Sequence, residues 1–288
     1  MIGIFDSGSG GLSVLREILR ILPKEKYVYY SDNANCPYGE KSVEFIRNRA
    51  REITRLLISK GAQIIVVACN TATAAAISVL REEFPVKFIG MEPAVKPAAL
   101  SSKTGVIGVL ATAGTLKASR YLNIKEMFGD GTKIAEHVGE GFVELVENGI
   151  LDGPEAEETV RKSVLPLVAA GADRIVLGCT HYPFLRKVIE RVAGPGVQVI
   201  DPAPAVARHL VEVMKQEGLL DHEYADVPAA AEPAPAGHGA AGQAAGEPEA
   251  AHPAAEIELI ASGPELPARR LLDTIISGHA GRQTATKS

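Results

Sequence analysis

The same eleven-residue pattern occurs twice in this chain, and it narrows the fold more than any other feature. One copy runs Gly61-Ala62-Gln63-Ile64-Ile65-Val66-Val67-Ala68-Cys69-Asn70-Thr71. The other runs Gly171-Ala172-Asp173-Arg174-Ile175-Val176-Leu177-Gly178-Cys179-Thr180-His181. Each has Gly-Ala, two further residues, an apolar run short enough for a buried strand, and then cysteine followed by polar residues. A thiol placed twice at the end of a buried strand suits chemistry that needs two bases.

Short apolar runs alternate with helical patterns along the rest of the chain. Strands are expected at Ile2–Phe5, Lys26–Tyr30, Ile64–Ala68, Val86–Ile89, Gly105–Leu110, Lys133–Glu136, Arg174–Leu177 and Gln198–Ile200. Helical patterns fall at Leu12–Leu22, Ser42–Ser59, Ala72–Glu83, Ala156–Ala169 and Pro183–Val192. That alternation predicts the α/β class, with mostly parallel sheets flanked by helices. The two halves also begin alike, with Ile2-Gly3-Ile4-Phe5-Asp6-Ser7 in one and Ile107-Gly108-Val109-Leu110-Ala111-Thr112 in the other. The offset is 107 − 2 = 105 at these runs and 179 − 69 = 110 at the cysteines. Any two strand–helix units look alike, so one match would carry little. Two matches in the same order indicate two copies of one unit. The expected architecture is two similar lobes related by a pseudo-twofold axis. Ligands in open α/β sheets bind outside the carboxyl ends of strands, which places the site in the cleft between the lobes. The first lobe is expected to comprise residues 1–96 with 206–288, and the second 97–205.

Residues 225–255 are different material. They are mostly Ala, Pro, Gly and Glu, with no Val, Ile or Leu after Val227. Such a stretch cannot bury enough apolar surface to offset its ordering entropy, and it reads as a flexible insertion. A strand at Glu256–Ile260 and a helix at Ala268–Ile276 are expected after it.

The net charge of −5 and the absence of a basic run disfavour nucleic acid as a primary partner. Met1–Asp6 goes straight into a strand-like run and lacks the features of a signal peptide. Residues 61–80 carry no Asp, Glu, Lys or Arg, but Gln63, Asn70, Thr71, Thr73 and Ser78 interrupt them. A buried strand followed by a small-residue helix fits better than a membrane span. Three cysteines without CxxC spacing argue against disulfides or structural zinc. Cys36, in Asn35-Cys36-Pro37-Tyr38, has no duplicate and reads as a small buried hydrophobe. Gly8-Ser9-Gly10-Gly11 is a poor dinucleotide fingerprint, because the third glycine position falls on Ser13 and Asp6 would repel a pyrophosphate. No metal and no cofactor is expected.

A cysteine at the end of a strand that runs into a helix lies near free backbone N–H groups, which favour thiolate. Asn70, Thr71 and Thr180 are suited to hold a carboxylate at the same helix starts. A carboxylate held between two sulfurs exposes its α-carbon to a base on each face. One thiolate removes the α-proton, the opposite thiol returns one, and the centre inverts. Asp6 ends the first strand and serves either as a helper or as a helix cap. His181, two residues after Cys179, can exchange protons near neutral pH.

These residues resemble the glutamate racemases, a cofactor-independent branch of the Asp/Glu racemase superfamily. The resemblance rests on Phe5-Asp6-Ser7-Gly8-Ser9-Gly10-Gly11-Leu12, Asp32-Asn33-Ala34-Asn35-Cys36-Pro37-Tyr38-Gly39, Ala68-Cys69-Asn70-Thr71-Ala72-Thr73 and Leu177-Gly178-Cys179-Thr180-His181-Tyr182-Pro183. Met91-Glu92-Pro93-Ala94 and Phe142–Gly149 also fit. It implies that Cys69 and Cys179 are the catalytic pair, with Asp6 and His181 as auxiliary acid–base residues. Glu147 matches an acid that assists the second cysteine, although residues 137–141 depart from the family pattern and Glu147 alone would read as a solvated helix residue. Asp6, Ser7, Tyr38, Gly39, Asn70, Thr71, Thr180 and His181 match substrate-binding positions, with Thr112 and Thr115 as additions. Read locally, Tyr38-Gly39 would be a turn, and Ser7 and the threonines would be caps. The resemblance further implies glutamate as substrate, a homodimer, a cytoplasmic location and a role in peptidoglycan synthesis. The rival readings are a racemase of aspartate or a related substrate, an inactive binding homologue, and a nucleotide-binding protein. Cys179-Thr180-His181 favours glutamate, since aspartate-type relatives tend to carry an acid after Cys-Thr.

Overall fold

In the computed structural model, residues 1–92, 94–129, 131–220 and 255–284 are described. The insertion expected at 225–255 lies outside them, apart from Ala255. The first half begins with β1 (Ile2–Asp6), α1 (Leu12–Ile21), β2 (Lys26–Ser31) and α2 (Val43–Ser59). It continues with β3 (Ile64–Val67), α3 (Asn70–Glu83), β4 (Lys87–Gly90) and α4 (Val95–Ser101). The second half holds β5 (Val106–Ala111), α5 (Ala113–Lys117), α6 (Ser119–Gly129), β6 (Lys133–Val138), α7 (Phe142–Glu147) and α8 (Pro154–Ala169). It ends with β7 (Arg174–Gly178), α9 (Arg186–Ala193), β8 (Gln198–Ile200) and α10 (Ala203–Gln216). β9 (Glu256–Ala261) and α11 (Leu266–Thr284) follow.

Two parallel sheets result. The strand orders are β4-β3-β1-β2-β9 and β6-β5-β7-β8. Read from the other edge, the second is β8-β7-β5-β6, which repeats the first four strands of the other sheet position for position. The duplication expected from the cysteine contexts is therefore a duplication of topology. β9 extends the first sheet by pairing with β2 in parallel, from Lys26 opposite Glu256 to Ser31 opposite Ala261.

The repeated Gly-Ala has a specific cause. Gly61 and Gly171 have φ of +96° and +91°, a region open to glycine and costly for other residues. Each ends a helix in the same way. Gly61 N–H donates to Ile58 O at 2.9 Å and Ala62 N–H to Leu57 O at 3.0 Å. Gly171 N–H donates to Val168 O at 2.9 Å and Ala172 N–H to Leu167 O at 3.1 Å. Both are Schellman caps, satisfying carbonyls that the helix end would otherwise leave open. Each cap turns a long helix, α2 or α8, into the strand that carries a cysteine.

β1 is buried along its whole length between β2 and β3. Apolar cores lie on both faces of each sheet. One packs α2 and α3 against the first sheet, through Val28, Ile53, Leu57, Val67 and Leu80. Another packs α4 and α6 against the second, through Val95, Val109, Tyr121 and Val176. The remaining faces share a single core, in which Ile4, Leu15 and Ile18 join Phe142, Val160, Leu177, Leu185 and Leu210. The lobes are thus joined by buried apolar surface below the cleft, which fixes the opposed strand ends relative to one another.

Candidate active site

Each lobe brings the carboxyl end of its cysteine strand to the cleft. Cys69 follows β3 and is the N-cap of α3, in extended conformation, with its Sγ accepting Ala72 N–H at 3.4 Å. Cys179 follows β7 but does not start an α-helix. A 3₁₀ turn over Tyr182–Leu185 precedes α9, where the sequence pattern predicts one helix from Pro183. The backbone donors expected at both sulfurs therefore stand in helical array only at Cys69. Both thiols are buried.

Asp6 lies at the end of β1, fully buried. Its Oδ2 accepts Gly11 N–H at 2.7 Å, at the start of α1, and Thr180 Oγ1 from the other lobe lies 3.4 Å away. The carboxylate thus caps a helix and also faces the cleft. Ser7 Oγ donates to Asp6 Oδ1 at 3.4 Å and accepts from Cys69 Sγ at 3.8 Å. Burial raises the pKa of Asp6, against the opposing pull of the His181 charge and Gly11 N–H. Burial also pushes the Cys69 thiol well above its ordinary value, and the Asp6 charge adds to this. The Ala72 N–H does not offset them, so the expectation that the helix start favours thiolate at Cys69 does not hold here. Loss of water outweighs one long N–H···S contact.

His181 serves the other sulfur. Its Nδ1 is 3.8 Å from Cys179 Sγ, and its Nε2 is 2.7 Å from Glu147 Oε1. Burial alone would lower its pKa, but hydrogen bonds to Cys179, Cys36 and Glu147 carry it well above the usual histidine value. Glu147 moves the opposite way. Burial would raise it, but bonds from His181 and Ser9 hold it below the ordinary glutamate value. Far from being a solvated helix residue, Glu147 is tied across the cleft, accepting Ser9 N–H at 2.7 Å and Ser9 Oγ–H at 2.9 Å.

Asn70, the first residue of α3, is buried, and neither its Oδ1 nor its Nδ2 has a partner. Thr71 Oγ1 lies 3.1 Å from Thr112 Oγ1 and 3.4 Å from Thr115 Oγ1, bridging the lobes. Tyr38 is buried in the loop after β2. Its hydroxyl is spent on Asp32 Oδ2 at 2.5 Å, and Arg49 Nη2 bonds the same carboxylate at 2.7 Å. These contacts anchor the loop that carries Gly39 against Thr112.

Sequence reasoning did not find several residues. Ser9 bonds Glu147. Ser13 Oγ donates to Thr180 O at 2.8 Å, and Tyr29 OH donates to Gly8 O at 3.1 Å, both holding the loop after β1. Ser13 drew notice only as a missing glycine, and Tyr29 reads as one more apolar strand residue. Cys36 is half-buried and shares space with Glu147 and His181. No spacing along the chain could show that, because the three come from separate segments: the loop after β2, the end of α7 and the loop after β7.

Two buried thiols on duplicated lobes, one beside a carboxyl group and the other beside a histidine–glutamate pair, fit an amino-acid racemase. Comparison with known proteins gives the particular family. Residues 2–210 match the model of the Asp/Glu/Hydantoin racemase family, and the chain belongs to it. A glutamate racemase of Methylococcus capsulatus is 50% identical over 224 residues, covering 78% of this chain and 83% of its own. A glutamate racemase isoform from Bacillus anthracis superposes with a TM-score of 0.78 at 29% identity, covering 96% of this chain and 94% of its own. An Escherichia coli glutamate racemase, solved with L-glutamate and an activator, gives 0.70 at 35% identity, over 74% and 82%. Among the described residues no helix is long and apolar enough to cross a membrane, and residues 61–80 form β3 and the greater part of α3.

Proposed function

We propose that this chain interconverts L-glutamate and D-glutamate by proton transfer at the α-carbon, with Cys69 and Cys179 as the two acid–base groups. The observation that carries the reading is Asn70. A buried amide with both polar atoms unpartnered is costly unless a ligand completes it, and this one stands beside Cys69 at the start of a helix. The substrate α-carboxylate sits there, accepting from Asn70 Nδ2 and from hydroxyls of Thr71 and Thr180. Oδ1 of Asn70 accepts from the ammonium group, and Ser7 and Asp6 face that group as well. The α-carbon then lies between the sulfurs.

The steps follow from the two flanks. In one direction Cys179 takes the α-proton and Cys69, already a buried thiol, donates its own to the opposite face. Asp6 then returns a proton to Cys69, and at Cys179 His181, held in place by Glu147, takes away the proton gained. The reverse reaction exchanges the roles. We place the lobes at residues 1–96 with 206–288 and at 97–205. We further propose a cytoplasmic homodimer that supplies D-glutamate for peptidoglycan.

The test is racemisation of L- and D-glutamate, with aspartate in parallel, in buffer free of pyridoxal phosphate and metals. In deuterium oxide the product should carry solvent deuterium at the α-carbon. Cys69→Ser and Cys179→Ser should each lose nearly all racemisation. Retention of more than a few per cent in either would overturn the two-thiol assignment.

A further inference from the structure

Among the described residues, the side chains of Cys36, His181 and Glu147 stand close enough together to share a metal ion. One donor atom from each lies within 4.8 Å of the others. We propose that these three residues form a binding site for a zinc-class divalent cation, and that occupancy switches the enzyme off. The donor set is thiol, imidazole and carboxylate, the three ligand types that zinc takes. Donors sharing a tetrahedral zinc stand roughly 3.3–3.8 Å apart, from bonds of about 2.0–2.3 Å. Side-chain rotation of this half-buried cysteine and glutamate covers the difference.

The three donors come from both lobes. Cys36 lies in the loop after β2, Glu147 ends α7, and His181 follows β7. Gly8 keeps the space between them clear. A Cβ built there would stand 2.4 Å from Glu147 Oε1 and 3.0 Å from Cys36 Sγ. An ion at this point takes over the role of the proton between His181 Nε2 and Glu147 Oε1. Binding a divalent cation releases that proton and the Cys36 thiol proton to solvent, so the ligands are imidazole, carboxylate and thiolate. The fourth position is left to water. With the ion in place, His181 can no longer relay a proton for Cys179, and the cation ties the lobes together.

The experiment uses the full-length protein and cobalt(II) as a spectroscopic stand-in for zinc. Cobalt should produce a thiolate-to-metal charge-transfer band that zinc displaces. Losing an outer-shell partner of a metal site already costs roughly 10–100-fold in affinity. Removing a direct ligand by Cys36→Ser should therefore weaken cobalt binding at least about tenfold and remove the band. Cys179→Ser should keep it. Zinc should inhibit racemisation reversibly, with full recovery on adding EDTA, and Cys36→Ser should need at least about tenfold more zinc for half-inhibition of its own metal-free rate. Cys36→Ala serves if the serine variant folds poorly by circular dichroism. A band that survives loss of Cys36, or that disappears with Cys179→Ser, overturns the site. Absence of any band in the unaltered protein does so too. The inhibitory arm rests on the acid–base reading of His181, whereas the spectroscopic arm does not. A band without inhibition would refute the switch and leave the site.

Discussion

Gly10→Ala should disable catalysis through one misplaced ring. A Cβ at Gly10 would lie 2.3 Å from His181 Nδ1 and 2.7 Å from both Cε1 and Cγ. Carbon contacts in packed interiors settle near 3.5 Å, so the ring must retreat by roughly 1 Å. It has no easy way to do so. His181 is 2% exposed and its far nitrogen is bonded to Glu147 at 2.7 Å. Gly10 does not have a positive φ, so alanine adds no backbone strain of its own. Overpacking of this kind costs about 1–3 kcal/mol of stability, and a shift of about 1 Å in an acid–base group costs on the order of 10²-fold in rate. Gly61→Ala is the matched control. It has no atom within 4 Å of the added Cβ but sits at φ +96°, so it should lose roughly 1 kcal/mol from backbone strain with kcat/KM unchanged. The assay is polarimetric racemisation in both directions, with melting temperature alongside. If Gly10→Ala stays within about threefold of the unaltered enzyme in kcat/KM, His181 is not held as tightly as argued, or does not relay the proton.

Asn70→Ala should reduce kcat/KM for both enantiomers by roughly 10–100-fold, the worth of hydrogen bonds to a charged group, and mainly through KM. An unchanged KM would remove Asn70 from the carboxylate site. Glu147→Gln should lower the pKa of His181, because it removes the anionic partner, and move the alkaline limb of the kcat/KM profile downward. A limb that stays put would assign it to another group. Since the folded-state pKa of His181 is raised, its contribution to stability is complete below the unfolded value of about 6.5 and is lost as pH rises through the folded value. The melting temperature should fall over that alkaline window, and less so in Glu147→Gln. Activity should survive EDTA and dialysis but not thiol alkylation, with glutamate protecting. Restoration of dialysed enzyme by a metal or pyridoxal phosphate would refute a cofactor-free reaction.

Most of the fold was legible because its signals are local. β8 falls on the expected residues Gln198–Ile200, and the other strands match within a residue or two. Apolar runs in parallel sheets are continuous, short and bounded by turn residues, and that length and those boundaries mark them as strands. The second cysteine's helix was misjudged because Pro183 suits the first turn of a helix, while the chain here makes a 3₁₀ turn first. Asp6, Cys69 and Cys179 were visible because each stands at the end of an apolar run. Ser9, Ser13, Tyr29 and Cys36 were not, because their partners are Glu147, Thr180, Gly8 and His181, set by packing of the loops and lobes rather than by spacing. Tyr38 was legible by its motif, whereas the bond of its hydroxyl to Asp32 was not.

The duplicated topology makes the chemical asymmetry of the site informative. The strands β1-β3 and β5-β7 are equivalent in the two sheets, and so are the cysteines that follow β3 and β7. The helpers are not equivalent. Asp6 comes from the end of β1, a strand away from Cys69, where burial raises the pKa of that thiol and the Asp6 charge adds to it. His181 comes from the same loop as Cys179 and brings positive charge, with Glu147 as its counter-ion. With both groups in the same protonation state, two thiols or two thiolates, neither enantiomer could be inverted, because one face needs a base and the other an acid. On the proposed mechanism one sulfur acts as donor and the other as acceptor, and unequal flanks suit those two parts. The cost is that return to this state requires a proton to cross from one flank to the other. Thr180, adjacent in sequence to both Cys179 and His181, carries a hydroxyl 3.4 Å from Asp6 Oδ2 and so stands on the way from one flank to the other.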